Sequence, residues 1–294
     1  MIYSEDNHSW SYALFSAHLH RYMPRLKWEQ HQFIYQQWCN YHLPKPLHSN
    51  LIWNTDAIKL LLEAEPSILV LYHLGMHAYI PQVLAENNIQ FDILLDRKVF
   101  AKHQQEMSAL RDLCHEKGTS HSFLMSDDPS VLLKARTTMR AGRHLLIFGD
   151  GNSGTTDTLE RKLKVSFLES SIYVRKGIAV LSFLHQMPIV PLSHTVKNDR
   201  YYLFMGPAIY RLNHENREDY LMRSMQLLFQ FLANQIKDEP WRWECWAYLH
   251  VLNCYKIKSY ITPNFSLKLA ENIHVQLEER KGIFNRKYFC YQFV

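Results

Sequence analysis

Ser126-Asp-Asp-Pro-Ser-Val-Leu-Leu-Lys-Ala-Arg-Thr-Thr-Met-Arg-Ala-Gly-Arg-His-Leu-Leu-Ile-Phe-Gly-Asp150 is the stretch whose reading decides the fold class. Ser126, Asp127 and Asp128 are capping residues and Pro129 suits a first helical turn, so the spacing predicts a helix over Pro129–Ala141. Val131, Leu132, Ala135 and Met139 give that helix an apolar face, and Gly142 ends it. Two residues later His144–Phe148 forms an apolar run with the length of a buried strand, followed by the turn residues Gly149-Asp150-Gly151. A helix feeding straight into a short apolar strand is the repeating unit of a parallel sheet.

The same alternation extends outward over residues 67–206. Strands are predicted at Ile68–Tyr72, Phe91–Leu95, Val165–Leu168, Pro188–Leu192 and Tyr201–Met205. Helices are predicted at Met76–Glu86, Ala101–Lys117 and Tyr173–His185, with a further amphipathic helix over 217–237. The fold class is therefore α/β, with a mostly parallel central sheet flanked by helices. Residues 1–64 carry helical patterns at Trp10–His18 and Trp28–Trp38, broken by Pro44-Lys-Pro46, and Asp56–Ala64 reads as a short helix. The expected organisation is a helical N-terminal region (1–64) packed on an α/β core (65–250), with 251–294 as an extension of the same domain.

Composition narrows the function. The chain has 294 residues, 47% hydrophobic and 21% charged, which is ordinary globular usage and excludes disorder and coiled coil. No run approaches the roughly 18 apolar residues of a membrane-spanning helix. Five scattered cysteines, Cys39, Cys114, Cys245, Cys254 and Cys290, form no CxxC pair, which argues against a disulfide framework or a structural zinc site. The acidic opening, Glu5-Asp6, stands where a secretory leader would carry base. The expected location is the cytoplasm, with room for peripheral contact at the inner membrane face. A net charge of +5 favours acidic partners but is too small to imply nucleic acid, and no nucleic-acid-binding signature is present.

In open α/β sheets, sites form beyond the carboxyl ends of the strands. Three strand ends carry polar groups: His73-Leu-Gly-Met-His77, Asp96-Arg97-Lys98, and Gly149-Asp150-Gly151-Asn-Ser-Gly154. A histidine there can act as a general base, because its ordinary pKa lies near ~6.5. His73 and His77 have metal-ligand spacing, but the segment lacks the glutamate of HExxH and no third ligand is evident, so no metal is expected. Gly149–Gly154 matches neither a dinucleotide fingerprint nor a phosphate loop. Trp241, Trp243 and Trp246 suit either an acyl groove or a core.

Taken in order, four segments resemble the lysophospholipid acyltransferase-like superfamily, and within it the late acyltransferases of lipid A biosynthesis. Val70-Leu-Tyr-His73-Leu-Gly looks like the strand and histidine of the H-x4-D/E motif, and Leu146-Ile-Phe-Gly-Asp150-Gly like a second strand ending in aspartate. Val165-Ser-Phe-Leu-Glu-Ser-Ser with Arg175-Lys-Gly177, and Pro188-Ile-Val-Pro191, resemble the segments that follow. The resemblance covers roughly residues 50–250. It implies acyl transfer from a coenzyme A or acyl carrier protein thioester to a hydroxyl or amine on a lipid or small molecule, with no tightly bound cofactor. His73 would be the base. The carboxylate five residues on is replaced by Ala78, so Asp150 becomes the first candidate partner and Glu169 the second. Arg97, Lys98, Arg175 and Lys176, with Glu169, are the candidates for holding the donor or a substrate phosphate. The alternative expectation is a non-catalytic member of the same fold that binds a lipid or carrier protein.

Overall fold

The computed structural model describes residues 8–43, 52–54, 56–119, 121–151, 162–198, 200–252, 258–259, 269–277 and 280–293. The chain divides into two compact units, and the division is not linear. One comprises Met1–Pro44, Ser166–Tyr173 and Ala233–Val294; the other comprises Lys45–Val165 and Val174–Leu232.

The second unit is built on a seven-stranded sheet. Its spatial order is Trp53–Asn54, Arg200–Met205, Ile189–Lys197, Ile68–Leu71, His144–Phe148, Phe91–Leu95 and Phe123–Met125. Every neighbouring pair is parallel except Arg200–Met205 against Ile189–Lys197. The central strand Ile68–Leu71 is buried at all four positions, as its unbroken apolar run requires when both faces are covered. On one face, Ile58 and Leu61, Ile80, Val83 and Leu84, and Leu110 and Cys114 come from three helices, Asp56–Glu63, Ile80–Glu86 and Gln104–Glu116. They pack with Leu69, Leu71, Phe91, Ile93 and Leu146 of the strands.

The opening stretch folds largely as its signals dictate, with a shift at its start. The helix spans Val131–Arg140. Asp128 turns back to accept hydrogen bonds from the Ser130 N–H (2.8 Å) and hydroxyl (2.6 Å) and pairs with Lys134, so the capping residues build a turn ahead of the helix. Gly142 takes φ +73°, the left-handed conformation that closes a helix at least cost, and its N–H bonds the Met139 carbonyl at 2.9 Å. Buried Asp92 then accepts from Thr138 (2.5 Å), Arg143 (2.7 Å) and the Ser122 N–H (2.8 Å), tying this helix end to the Phe91–Leu95 strand.

The predicted helix over Tyr173–His185 begins later. Ser170–Arg175 is a strand, paired in a separate two-stranded sheet with Lys162–Phe167, and the helix runs Gly177–His185. Ile172 and Val174 alternate buried with Tyr173 and Arg175 less so, a period of two that suits a strand and outweighs helical continuation.

The first unit contains helices Trp10–Tyr22 and Trp28–Tyr41 and a five-stranded sheet. The sheet's middle is the antiparallel meander Asn272–Leu277, Arg280–Asn285 and Cys290–Phe293, flanked by His8–Ser9 and Lys258–Ser259. The tail read as an extension thus supplies most of a sheet. Trp243 and Trp246 are fully buried and pack with Phe15, Tyr22 and Phe167, so these two tryptophans are core groups. Trp246 donates its indole N–H to the Pro240 carbonyl at 2.6 Å. Among the described residues no helix is long and apolar enough to cross a membrane.

Candidate functional site

The site is a consequence of strand register. Ile68–Leu71 and His144–Phe148 run parallel and adjacent, with Leu71 opposite Phe148. Two residues further on, the same register brings His73 beside Asp150, although 77 positions separate them in the chain. The ladder continues past the strand end through Gly149, whose N–H bonds the Leu71 carbonyl at 2.7 Å. A side chain at Gly149 would meet Val70 Cγ1 at 2.7 Å and Tyr72 Cε1 at 3.1 Å, so the close approach of the two strands requires glycine there.

Asp150 is held at both oxygens by one residue. Oδ1 accepts from His73 Nδ1 at 2.8 Å and Oδ2 accepts from the His73 backbone N–H at 2.9 Å. Its side chain is 1% exposed and that of His73 is 28% exposed, so the carboxylate lies inside and the imidazole reaches the surface. With the proton held on Nδ1, Nε2 becomes the basic nitrogen. Phe148 and His77 flank the ring, with centroids at 4.9 and 5.0 Å. Beneath it Tyr72 is buried, donates its hydroxyl to the Leu228 carbonyl at 2.8 Å and stacks on Phe231. Burial, and then the negative charge of Asp150, push the Tyr72 phenol well above its ordinary pKa, so it remains a neutral support.

After His73 the chain turns at Gly75 (φ +46°) into a short 3₁₀ segment, Gly75–Tyr79, which carries Ala78. The buried His194, on the neighbouring Ile189–Lys197 strand, accepts the Met76 N–H at its Nε2 (3.2 Å) and pins this turn. Sequence reading ended that strand at Leu192 and so missed His194. A strand continuing to Lys197 with polar Ser193 and His194 buried inside it was the signal available.

No protein-family model matches this chain, and no curated protein matches it.

The remaining candidates lie on other elements. Asp96 caps the helix Arg97–Lys102 by accepting the Lys98 N–H at 2.7 Å, and Arg97 pairs with Asp127 at 3.1 Å on the surface. Glu169 belongs to the other unit, where it pairs with Arg25 at 3.0 Å. Arg175 ends the Ser170–Arg175 strand and Lys176 precedes the Gly177 helix. Asn152–Gly154, the rest of the glycine-rich stretch, and Pro44-Lys-Pro46 lie outside the described residues. The His73 Nδ1 is committed to Asp150. The pair that forms is an imidazole oriented by a buried carboxylate. Such a pair can take a proton at Nε2 and hold the resulting imidazolium.

Proposed function

We propose that this chain is an acyltransferase using a thioester donor, with His73 as general base and Asp150 as its orienting carboxylate. The observation that carries the reading is the His73–Asp150 hydrogen-bonded pair at the carboxyl ends of two adjacent parallel strands. In the lysophospholipid acyltransferase-like proteins that the sequence resembles, the histidine's carboxylate comes five residues later. Here Ala78 occupies that position and the next strand supplies the acid instead.

The step follows from that geometry. Nε2 removes the proton from an acceptor hydroxyl or amine as its oxygen or nitrogen attacks the thioester carbonyl. Backbone N–H groups receive the charge that develops on the carbonyl oxygen. Collapse breaks the carbon–sulfur bond, the imidazolium returns its proton to the departing thiolate, and an ester or amide and a free thiol remain. Asp150 steadies the imidazolium between the two transfers. The donor is an acyl group on coenzyme A or on the phosphopantetheine of an acyl carrier protein; Lys98, Arg175 and Lys176 are the candidates for holding its phosphates. The acceptor is a lipid or small molecule. An acyltransferase-like core with a helical N-terminal region, working in the cytoplasm or at the inner membrane face, completes the reading.

Intact-mass spectrometry tests it. The protein is mixed with acyl-coenzyme A and acyl carrier protein thioesters and a panel of amine and alcohol acceptors, with His73→Ala alongside. Loss of acyl from the donor with matching gain on an acceptor, dependent on His73, is the expected result. Transfer that persists in His73→Ala removes the base assignment. A stable donor complex without turnover favours the binding-only alternative that Ala78 suggests.

A further inference from the structure

The helix Val131–Arg140 is packed the wrong way round for a helix with nothing on its outer side. Its buried residues are the small ones, Ala135 and Thr138. Its two leucines face out, with Leu132 43% and Leu133 67% exposed, and Val131 and Met139 are half-buried. The helix Gly177–His185 beside it leaves Leu184 51% exposed. Between the two lies a groove of about 530 Å³ lined by these leucines, Arg136, Arg140 and His185.

The charge there has one sign. Residues 131–143 contain Lys134, Arg136, Arg140 and Arg143 and no acid, and Gly177–Gln186 contains none either. Lys134 is paired with Asp128 and Arg143 with Asp92, whereas Arg136 and Arg140 have no acidic partner among the described residues. Burial and the neighbouring Arg136 lower the His185 pKa, so the groove as it stands repels a further proton.

We propose that this groove docks an acidic amphipathic helix of a partner protein, its apolar ridge against Leu132, Leu133 and Leu184 and its carboxylates against Arg136 and Arg140. Two neighbouring helices with a groove between them accept a third helix by ridge-into-groove packing, and an apolar stripe flanked by charge is how such grooves recognise their ligands. The inference does not depend on the chemistry at His73.

The probe is a labelled, stapled helical peptide of about five turns, with leucines at i, i+3, i+4 and i+7 and glutamates elsewhere, and a twin with lysine for glutamate. Fluorescence anisotropy on the full chain should show saturable binding of the acidic peptide below about 1 mM, weakening with salt, and at least about tenfold weaker binding of the basic twin. Leu133→Asp with Leu184→Asp should weaken binding about tenfold or more, and Arg136→Glu with Arg140→Glu should reverse the peptide preference. His73→Ala should bind as the unsubstituted chain does. Leu133, Leu184, Arg136 and Arg140 all face water already, so circular dichroism should report an unchanged fold. Equal binding of the two peptides, or no saturation in that range, overturns the proposal. So does groove-dependent retention on phosphatidylglycerol vesicles without peptide binding, which would assign the face to lipid.

Discussion

His73 and His18 stand in different units and show what a histidine's partner does to its chemistry. His18 is fully buried, its Nδ1–H donates to the Trp246 carbonyl at 2.5 Å, and its ring stacks within 10° of parallel on His250 at 5.3 Å. Burial first, then repulsion from the His250 ring, lower its pKa to about 3. His31, buried and hydrogen-bonded to Ser16, is likewise lowered to about 3 by burial and by Arg286. These are neutral packing groups. His73 has instead a buried carboxylate on one nitrogen and a side chain 28% exposed. A carbonyl orients an imidazole but carries too little charge to hold it as imidazolium, and a carboxylate does both. With 17 histidines in the chain, residue type alone could not separate the two kinds.

The comparison breaks most readily at His73. His73→Ala should lower acyl transfer about 10²–10⁴-fold with unchanged circular dichroism, the range expected for losing a general base. His18→Ala should do the opposite, costing roughly 1–3 kcal/mol of stability in a denaturant titration through the lost packing and hydrogen bond. The same phenotype from both would end the distinction. Asp150→Asn should cost at least about 10²-fold in rate, because the amide keeps a hydrogen-bond acceptor but loses the charge. A fully active Asp150→Asn enzyme would leave His73 acting without it.

Acid tests the other side of the comparison. The folded-state pKa values of His18 and His31 lie below the unfolded value near ~6.5, so the unfolded chain binds more protons between about pH 3 and 6.5. Their contribution to stability is therefore complete above about pH 6.5 and is lost as pH falls toward 3. Urea midpoints measured across that range should fall, and His31→Asn should flatten the slope; an unchanged slope would mean these groups are not neutral in the fold. Smaller again is Gly149→Ala, expected to cost about 1–3 kcal/mol by forcing Val70 and Tyr72 away from the strand end. Arg97→Ala, which removes a surface pair with Asp127, should change stability by less than about 1 kcal/mol.

Much of the α/β unit was readable locally. Phe91–Leu95 and His144–Phe148 form the strands expected at those residues, and Ile68–Leu71 differs by one, because each is a short apolar run bounded by turn residues. The Val131 helix was legible in Gly142, its stop, but of its expected face only Ala135 is buried and Leu132 is exposed. Residues 173–175 were read as helix because Tyr-Val-Arg joins a helical pattern that follows it directly, and only pairing with Lys162–Phe167 makes Ser170–Arg175 a strand. The C-terminal meander was not seen, since its strands owe their pairing to partners whose position no local pattern announces.

The sequence by itself determined the class of fold and the short list of polar groups at strand ends, because capping, periodicity and apolar run length act within about ten residues. Only the tertiary structure decided that Asp150 and not Glu169 is the carboxylate His73 holds, that Arg97 is engaged by Asp127, and that Leu133 and Leu184 face outward. The reason is physical: those outcomes depend on which strands lie side by side and in what register, and for His73 and Asp150 that contact spans 77 residues of chain.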